Sequence, residues 1–156
     1  TPSIWPPGRP ASRWSSSSRP PAEGATREAF RYRIEAFPQW FLVAEEDGTV
    51  VGLLNGPATD AQFICDRLYE PGGAGENGTT LAILGLAVLP DRRRQGIAAQ
   101  LMHAYLDRAR QGGMERVVLT CKENLIPFYE QFGFVNRGVS QSVHGGVVWY
   151  DMEYTI

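Results

Sequence analysis

Three consecutive arginines, Arg92–Arg94, stand just ahead of Gly96 and Ala98. An apolar run precedes this segment and apolar residues at helical spacing follow it, which predicts a strand, a basic loop and a helix. The first backbone N–H groups of a helix lack intrahelical partners, and the helix dipole adds partial positive charge there. Gly96 leaves room for a phosphate group to approach, and the arginines add further positive charge. The segment therefore predicts an anion site, and a pyrophosphate fits these features best.

Spacing excludes two phosphate-binding loops. The chain has no GxxxxGK[ST], and no GxGxxG followed about 20 residues later by an acidic residue, so neither a nucleoside triphosphate loop nor a dinucleotide loop is indicated. Taken alone, the glycine and alanine are equally compatible with close packing of a helix on a sheet, with the arginines on a solvated surface.

Two motifs in order carry a family resemblance. Residues 93–98, RRQGIA, resemble the (Gln/Arg)-x-x-Gly-x-(Gly/Ala) signature of the GCN5-related N-acetyltransferase (GNAT) superfamily, whose members hold the pyrophosphate of acetyl-CoA in this loop. Residues 124–134, NLIPFYEQFGF, resemble the N…(A/P)xxFYxxxGF segment of a late helix in the same superfamily. The resemblance extends from Thr26 to Ile156 and is nearest to the arylalkylamine (serotonin) N-acetyltransferases and their bacterial relatives.

The resemblance implies acetyl-CoA as co-substrate and assigns roles to particular residues. The N–H of Leu86 is expected to donate to the thioester oxygen, and the Tyr129 hydroxyl to protonate the departing thiolate. A phenol is protonated at neutral pH, as a general acid must be. The competing interpretation places Tyr129 in a core aromatic cluster with Phe128, Phe132 and Phe134. The residues expected to hold acetyl-CoA are Leu86, Ala87, Val88, Arg93, Arg94, Gln95, Gly96, Ile97, Ala98, Ala99 and Asn124.

The proton acceptor for the amine is where the sequence departs from the resembling family. Arylalkylamine acetyltransferases carry two histidines on the strand before the loop, and the aligned positions here are Ala82 and Leu84. Either the amine arrives neutral, or water accepts its proton, or another residue does so. The candidates considered for that residue are Glu76, Glu123 and His144, whereas His103 is expected on the solvent side of its helix.

Bulk properties are those of one ordinary globular domain. The chain has 156 residues, 43% of them hydrophobic, and a net charge of -2. No apolar run could span a bilayer and no secretory leader is evident, so a cytoplasmic protein is expected. The charge balance argues against a nucleic-acid partner. Cys65 and Cys121 are too few for a disulfide framework or a metal site, and Cys121 is interpreted as a small buried hydrophobe.

Residues 1–21 are unlike the start of a domain. They contain six prolines and the run Ser15–Ser18, which predicts disorder. The resemblance places the first strand of the fold here, so that strand is expected to be missing or replaced. The predicted division is an atypical segment, 1–21, and an acetyltransferase domain, 22–156.

The remaining pattern predicts an α/β fold, a twisted mixed sheet with helices on both faces. Thr26 is expected to cap a first helix and Thr59 a second, while Asn124 caps a short helix carrying Tyr129. Leu81–Leu89 reads as one central strand buried on both faces. The other predicted elements are strands at 40–44 and 50–54 joined by Glu46-Asp47-Gly48, a helix ending at Gly112-Gly113, a parallel strand at 116–120, and a terminal hairpin of 139–143 with 147–154.

These observations lead to one leading function and two alternatives. The leading prediction is transfer of the acetyl group of acetyl-CoA to a primary amine of a small molecule, by direct attack in a ternary complex. A non-catalytic acyl-CoA-binding domain and an acetyltransferase acting on a protein amine stay open. A homodimer also stays open by analogy. The aromatic residues expected to line the acceptor site are Phe37, Trp40, Phe63 and Tyr69.

Overall fold

The computed structural model describes residues 3–5, 27–64, 68, 78–141 and 146–156, and for 3–5 and 27–30 the backbone alone. Two sheets are arranged side by side. The first has the strand order β1-β2-β3-β6 and the second the order β4-β5-β7-β9-β8. The strands are β1 (Ser3–Trp5), β2 (Phe41–Glu46), β3 (Thr49–Asn55), β4 (Ala58–Thr59), β5 (Thr80–Ala82), β6 (Gly85–Val88), β7 (Arg116–Cys121), β8 (Val135–Val139) and β9 (Tyr150–Thr155). The helices are α1 (Arg27–Ala36), α2 (Ile97–Gln111) and α3 (Ile126–Glu130).

The hairpin of β2 and β3 confirms the turn predicted from the sequence. Asp47 and Gly48 both have positive φ, 51° and 78°, as the two central residues of a tight hairpin turn of type I′ require. The pairing runs from Glu46 opposite Thr49 to Phe41 opposite Asn55. β6 extends this antiparallel pair by pairing with β3.

The predicted central strand is wrong as a single element, because Leu81–Leu89 divides into β5 and β6. β5 pairs in parallel with β7, and the N–H of Ile83 still donates to Val118 O at 2.9 Å. The N–H of Leu84 donates instead to Asn55 O at 2.8 Å, and β6 continues along β3. A uniformly apolar run gives no sign of this division, since either course buries its side chains. The two sheets therefore diverge after Ile83, and a cleft opens between β6 and the end of β7.

Helix α2 lies against one face of both sheets. A Cβ at Gly52 would come within 3.0 Å of Leu101 Cδ1 and 3.1 Å of Ile97 Cγ2, so the glycine permits close packing of α2 on β3. The Tyr105 hydroxyl donates to Gly56 O at 2.9 Å and is fully buried. The helix ends as predicted at Gly112-Gly113, where the N–H of Gly112 donates to Arg108 O.

The two faces of the sheets carry different cores. We call the side covered by α2 and α3 the α2 face, and its large core contains Leu54, Leu119 and Met152. The opposite side is the α1 face, where Ile34 of α1 packs on Phe41, Val43 and Leu53. A third cluster, also on the side opposite α2, contains Ile64, Leu68, Ala82, Leu84 and Val118. Helices therefore lie on both faces, and the predicted mixed α/β fold is confirmed.

The first strand was expected to be missing or replaced, and the first of these alternatives is wrong. Ser3–Trp5 pairs antiparallel with β2, with Ile4 opposite Ala44. These three residues lie inside the segment 1–21 that was predicted to be disordered, and the remainder of that segment falls outside the described residues. Composition misled here because prolines on either side of a short run are compatible with an edge strand, which leaves one row of backbone groups unpaired.

Three local predictions are also corrected. Thr59 belongs to β4 and the described residues 60–64 after it are not helical, so Thr59 does not stand at the start of a helix; its Oγ1 accepts a hydrogen bond from the N–H of Ala61 at 3.1 Å. Asn124 lies within a 3-10 turn, and Leu125 occupies the cap position of α3. The strand that precedes the last one is β8, four residues earlier than the predicted 139–143.

Among the described residues no helix is both long and apolar enough to cross a bilayer.

Candidate functional site

A cavity of about 480 Å³ lies where the two sheets diverge. Its walls come from β6, from the loop and first turn of α2, and from α3. The lining residues are Leu86, Ala87, Val88, Arg92, Arg93, Arg94, Gly96, Ile97, Ala98, Ala99, Leu125, Phe128 and Tyr129. Loop and helix N-terminus are thus joined to the strand by one continuous space.

Strand β6 presents a free edge to this cavity. Its four residues pair with β3 from Gly85 opposite Asn55 to Val88 opposite Gly52. No described strand pairs with its second edge, because β7 pairs on that side only with β5 and only as far as Val118. Unpaired N–H and C=O groups of such an edge can bind an extended amide-containing ligand as a further strand would.

Gly96 shapes the other end of the cavity. Its φ of 79° is left-handed, and a Cβ built there would meet no protein atom within 4 Å. The first intrahelical bond of α2 is donated by Gln100 N to Gly96 O at 3.0 Å. The N–H groups of Ile97, Ala98 and Ala99 precede that bond and have no helical partner, so they are available to an anion in the space that Gly96 leaves open.

The three arginines differ in their contacts. Arg92 donates to Glu46 at 3.1 Å and to Asp91 at 3.4 Å, while Arg93 Nε donates to Val88 O at 3.3 Å. Arg94 is exposed and adopts a φ of 65°, which is unusual for a side-chain-bearing residue. The positive charge of the loop is thus only partly offset by local acidic groups.

Tyr129 lies at the other wall of the cavity, on α3. Its side chain is 7% exposed and makes edge-to-face contacts with Phe128 (ring centroids 5.1 Å apart) and Phe134 (6.0 Å). The tyrosine therefore combines the two sequence interpretations, since it is part of the aromatic cluster and also lines the cavity.

Of the residues predicted to hold the acetyl donor or act on it, ten line this cavity and two do not. Gln95 and Asn124 are exposed and outside the lining. Leu125 and Phe128 also line the cavity and were not predicted from the sequence. Their place in the late motif, next to Tyr129, was the available signal.

The candidate proton acceptors are not gathered at the cavity. Ala82 and Leu84 are buried in an apolar cluster, and Glu123 is exposed. Glu76 and His144 lie outside the described residues, and His103 is exposed against Phe132 as expected for a solvent-side residue. Cys121 is almost fully buried, and burial raises the pKa of its thiol to about 11, which fits a small hydrophobe rather than a nucleophile.

The proposed aromatic lining of the acceptor site is corrected in part. Trp40 packs edge-to-face on Tyr105 of α2, with ring centroids 6.4 Å apart, and Phe37 belongs to the same core. Both side chains are therefore core residues and do not form the wall of a cleft. Phe63 is half-buried, and Tyr69 lies outside the described residues.

Comparison with known proteins decides the family. The profile of the Acetyltransferase (GNAT) family matches residues 10–134, most of the chain. The chain belongs to the GNAT acetyltransferase family. This family uses acetyl-CoA as acetyl donor, and the resemblance read from the two motifs is confirmed.

Named relatives of this GNAT chain differ in what their names say they acetylate. It is 28% identical over 133 residues to serotonin N-acetyltransferase of Mesocricetus auratus, a match that covers 83% of this chain and 62% of the relative. It is 29% identical over 118 residues to N-alpha-acetyltransferase 30 of Schizosaccharomyces pombe, covering 72% and 69%. The chain thus spans less than two thirds of the length of the serotonin enzyme and slightly more than two thirds of the length of the Schizosaccharomyces pombe enzyme.

A solved structure shares the fold of the GNAT chain over its whole length. The GphF GNAT-like decarboxylase in complex with isobutyryl-CoA superposes with a TM-score of 0.83, at 18% identity and 98% coverage of both chains. At this identity the likeness shows the fold alone.

Proposed function

We propose that the chain transfers the acetyl group of acetyl-CoA to the primary amine of a small molecule, by direct attack while donor and acceptor are both bound. The observation that carries the proposal is the continuity of the cavity from the unpaired N–H groups of α2 to the free edge of β6, with Tyr129 opposite that edge.

Binding of the donor rests on backbone groups. The N–H groups of Ile97–Ala99 and the positive loop suit the pyrophosphate, and the open space at Gly96 admits it. Apart from Val88 O, which accepts from Arg93, the N–H and C=O groups on the open edge of β6 suit the amides of the pantetheine arm. A ligand held along this path brings its thioester towards Leu86, at the end of the strand farthest from the loop.

The chemical step then needs three events. The amine nitrogen attacks the thioester carbon, and the N–H of Leu86 stabilises the negative charge that develops on the thioester oxygen. The carbon–sulfur bond breaks, and the Tyr129 hydroxyl gives its proton to the leaving sulfur. The attacking nitrogen then loses a proton, and a proton returns to the Tyr129 oxygen to restore its hydroxyl. Holding both reactants in one geometry supplies much of the rate.

Two classes of acceptor divide this family's relatives. The name of the hamster relative points to a small arylalkylamine and that of the yeast relative to a protein α-amine. We favour the small amine because the two motifs and the apolar residues before the loop resemble the arylalkylamine branch. A non-catalytic acyl-CoA-binding domain is disfavoured because Tyr129 lines the same cavity as the loop.

Release of free thiol from acetyl-CoA tests the proposal. The purified protein is assayed alone and with tryptamine, 2-phenylethylamine, spermidine or a peptide with a free N-terminus, and acetyl-CoA binding is measured by calorimetry. Amine-dependent release with one of the first three is the expected result. Release with the peptide alone would replace the small acceptor by a protein, and binding of acetyl-CoA without release to any acceptor would favour the non-catalytic alternative.

A further inference from the structure

Asp151 is a buried carboxylate with no role in the acetyl-transfer steps given above. It lies on β9, is 8% exposed, and Oδ1 has no hydrogen-bond partner within the described part of the chain. Its other contact is a hydrogen bond with the Ser140 side chain, in which the hydroxyl donates to the carboxylate. A buried carboxylate oxygen without a donor is costly, and a functional role is a common reason for retaining one.

The sheet register places Asp151 on the α1 face beside the cleft. Asp151 is directly opposite Thr120 of β7, so the two side chains share a face. Leu119 and Met152, their neighbours along the two strands, belong to the core under α2. Because successive residues of a strand point to opposite faces, Thr120 and Asp151 point away from α2.

The same register places Asp151 one strand away from the open edge. β7 loses its pairing with β5 after Val118, so at Thr120 the other side of β7 borders the space between the sheets. Adjacent strands are about 4.8 Å apart. An amine bound in the cleft can therefore reach the carboxylate, either directly or through one bridging water.

A second buried polar atom faces the α1 side across the cleft. Asn55 is fully buried, and its Oδ1 accepts a hydrogen bond from Arg33 at 3.1 Å. This contact fixes the amide orientation, so Nδ2 is the donor that has no partner within the described residues. A Cβ at Gly85, next to Leu86, would lie 3.3 Å from that nitrogen. On the face opposite the donor cavity, the cleft is therefore flanked by two buried polar atoms, Asp151 Oδ1 and Asn55 Nδ2, that have no hydrogen-bond partner within the described residues.

We infer that the acceptor amine enters from the α1 face and that the carboxylate of Asp151 takes its proton, directly or through one water. The inference rests on the proposed acetyl transfer and supplies the base that the missing histidines leave open. One proton passes from the ammonium group to Asp151 before attack. The second leaves the nitrogen after the carbon–nitrogen bond has formed and restores Tyr129, whose proton went to the sulfur. The Asp151 proton is then lost to solvent, so each turnover releases one proton.

The surroundings of Asp151 are compatible with this role. Burial raises the pKa of its carboxyl, partly opposed by the hydrogen bond from Ser140, and a raised pKa makes the carboxylate a better proton acceptor. On the same face of β7 and β9 the charged neighbours are Arg116 and Glu153, which pair with each other at 2.7 Å. Arg137 of β8 pairs with Glu153 at 2.9 Å, and Lys122 directly follows β7. Within the described part of the chain, Asp151 takes part in no ion pair.

The test uses Asp151→Asn, which keeps the size of the side chain and removes its basicity. The matched control is Glu115→Gln, at an exposed acid just before β7, and Glu123→Gln is included because Glu123 is a competing candidate for the base. The acceptors are 2-phenylethylamine, which is protonated at neutral pH, and 2,2,2-trifluoroethylamine, which is largely neutral there. For Asp151→Asn we expect kcat/KM with 2-phenylethylamine to fall about 100-fold at pH 7, with the deficit shrinking as the pH rises towards the pKa of the amine. The rate with trifluoroethylamine and the Kd of acetyl-CoA should change little.

Other outcomes separate this inference from the proposed function. Amine-dependent thiol release by the unaltered protein in the same assay establishes the acetyl transfer by itself. An equal loss in Asp151→Asn at every pH and with both amines, or no loss at all, would overturn the role of Asp151. So would a loss confined to Glu123→Gln. If Asp151→Asn does not fold, the pH profile of the unaltered protein decides: its break below neutrality must coincide with the Asp151 carboxyl titration seen by carbon-13 NMR.

Discussion

Gly96 and Gly48 have nearly the same backbone and different surroundings. Their φ values are 79° and 78°, and a Cβ at either would meet no protein atom within 4 Å. Alanine should therefore destabilise both sites by a similar amount, about 1 kcal/mol, because a side chain disfavours the left-handed conformation. Only Gly96 lines the cavity. Calorimetry should show weaker acetyl-CoA binding by about 10-fold or more in Gly96→Ala and none of this effect in Gly48→Ala.

Comparable affinities in the two variants would mean that no ligand group occupies the space beside Gly96. Urea titrations of both proteins provide the internal check, since unequal losses of stability would show that the pair is not matched.

The Tyr129 hydroxyl is the group whose removal distinguishes catalysis from packing. Tyr129→Phe keeps the ring that contacts Phe128 and Phe134, so the fold and the Kd of acetyl-CoA should be preserved. Loss of a general acid should lower kcat about 100-fold or more. Tyr154→Phe is the control, because that hydroxyl accepts a hydrogen bond from Arg110 and Tyr154 does not line the cavity. Equal turnover in the two variants would leave Tyr129 as a core residue only.

At the scale of elements, the Tyr105 hydroxyl links α2 to the first sheet. It donates to Gly56 O at 2.9 Å, next to the point where β3 gives way to β4. Tyr105→Phe leaves that buried carbonyl without its donor, so the free energy of unfolding should fall by about 1–3 kcal/mol in urea denaturation. Burial also holds the pKa of this hydroxyl well above its ordinary range, so it stays protonated as a donor throughout. An unchanged unfolding free energy would contradict this role.

The elements also show what the sequence could and could not predict. The hairpin at Asp47-Gly48 and the end of α2 at Gly112-Gly113 were predictable because specific residues adopt those backbone conformations locally. The division of Leu81–Leu89 was not, because it depends on which neighbour each N–H group finds.

The same contrast holds for the site. Residues of the loop and Tyr129 were predictable because they belong to motifs with fixed spacing. Leu125 and Phe128 are ordinary apolar residues of the late motif that become cavity walls only when α3 packs beside β6. Asp151 sits in a short strand with no motif around it, and only the register with Thr120 places it beside the cleft.

For the whole molecule, β9 carries two acids whose effects on stability have opposite sign. Burial tends to raise the pKa of Glu153, but hydrogen bonds and charges from Arg116 and Arg137 hold it below its ordinary value. Arg116 also donates to Thr80 at 2.8 Å, so this network joins β5, β7, β8 and β9. A lowered folded-state pKa contributes stability that is present above the unfolded pKa and is lost as the pH falls through the folded pKa.

Asp151 behaves in the reverse way, because its pKa is raised in the folded state. Its protonated form stabilises the fold below the unfolded pKa, and that contribution is lost as the pH rises through the folded pKa. Glu153→Gln should therefore lower stability at pH 7 and flatten the acid limb of the unfolding free energy. Asp151→Asn should instead raise stability at pH 7 relative to its effect at pH 3. Urea titrations of both variants from pH 3 to 7 measure these slopes. Slopes of the same sign would refute the assignment, since Glu153 is held by two arginines whereas Asp151 is buried with no ion pair among the described residues.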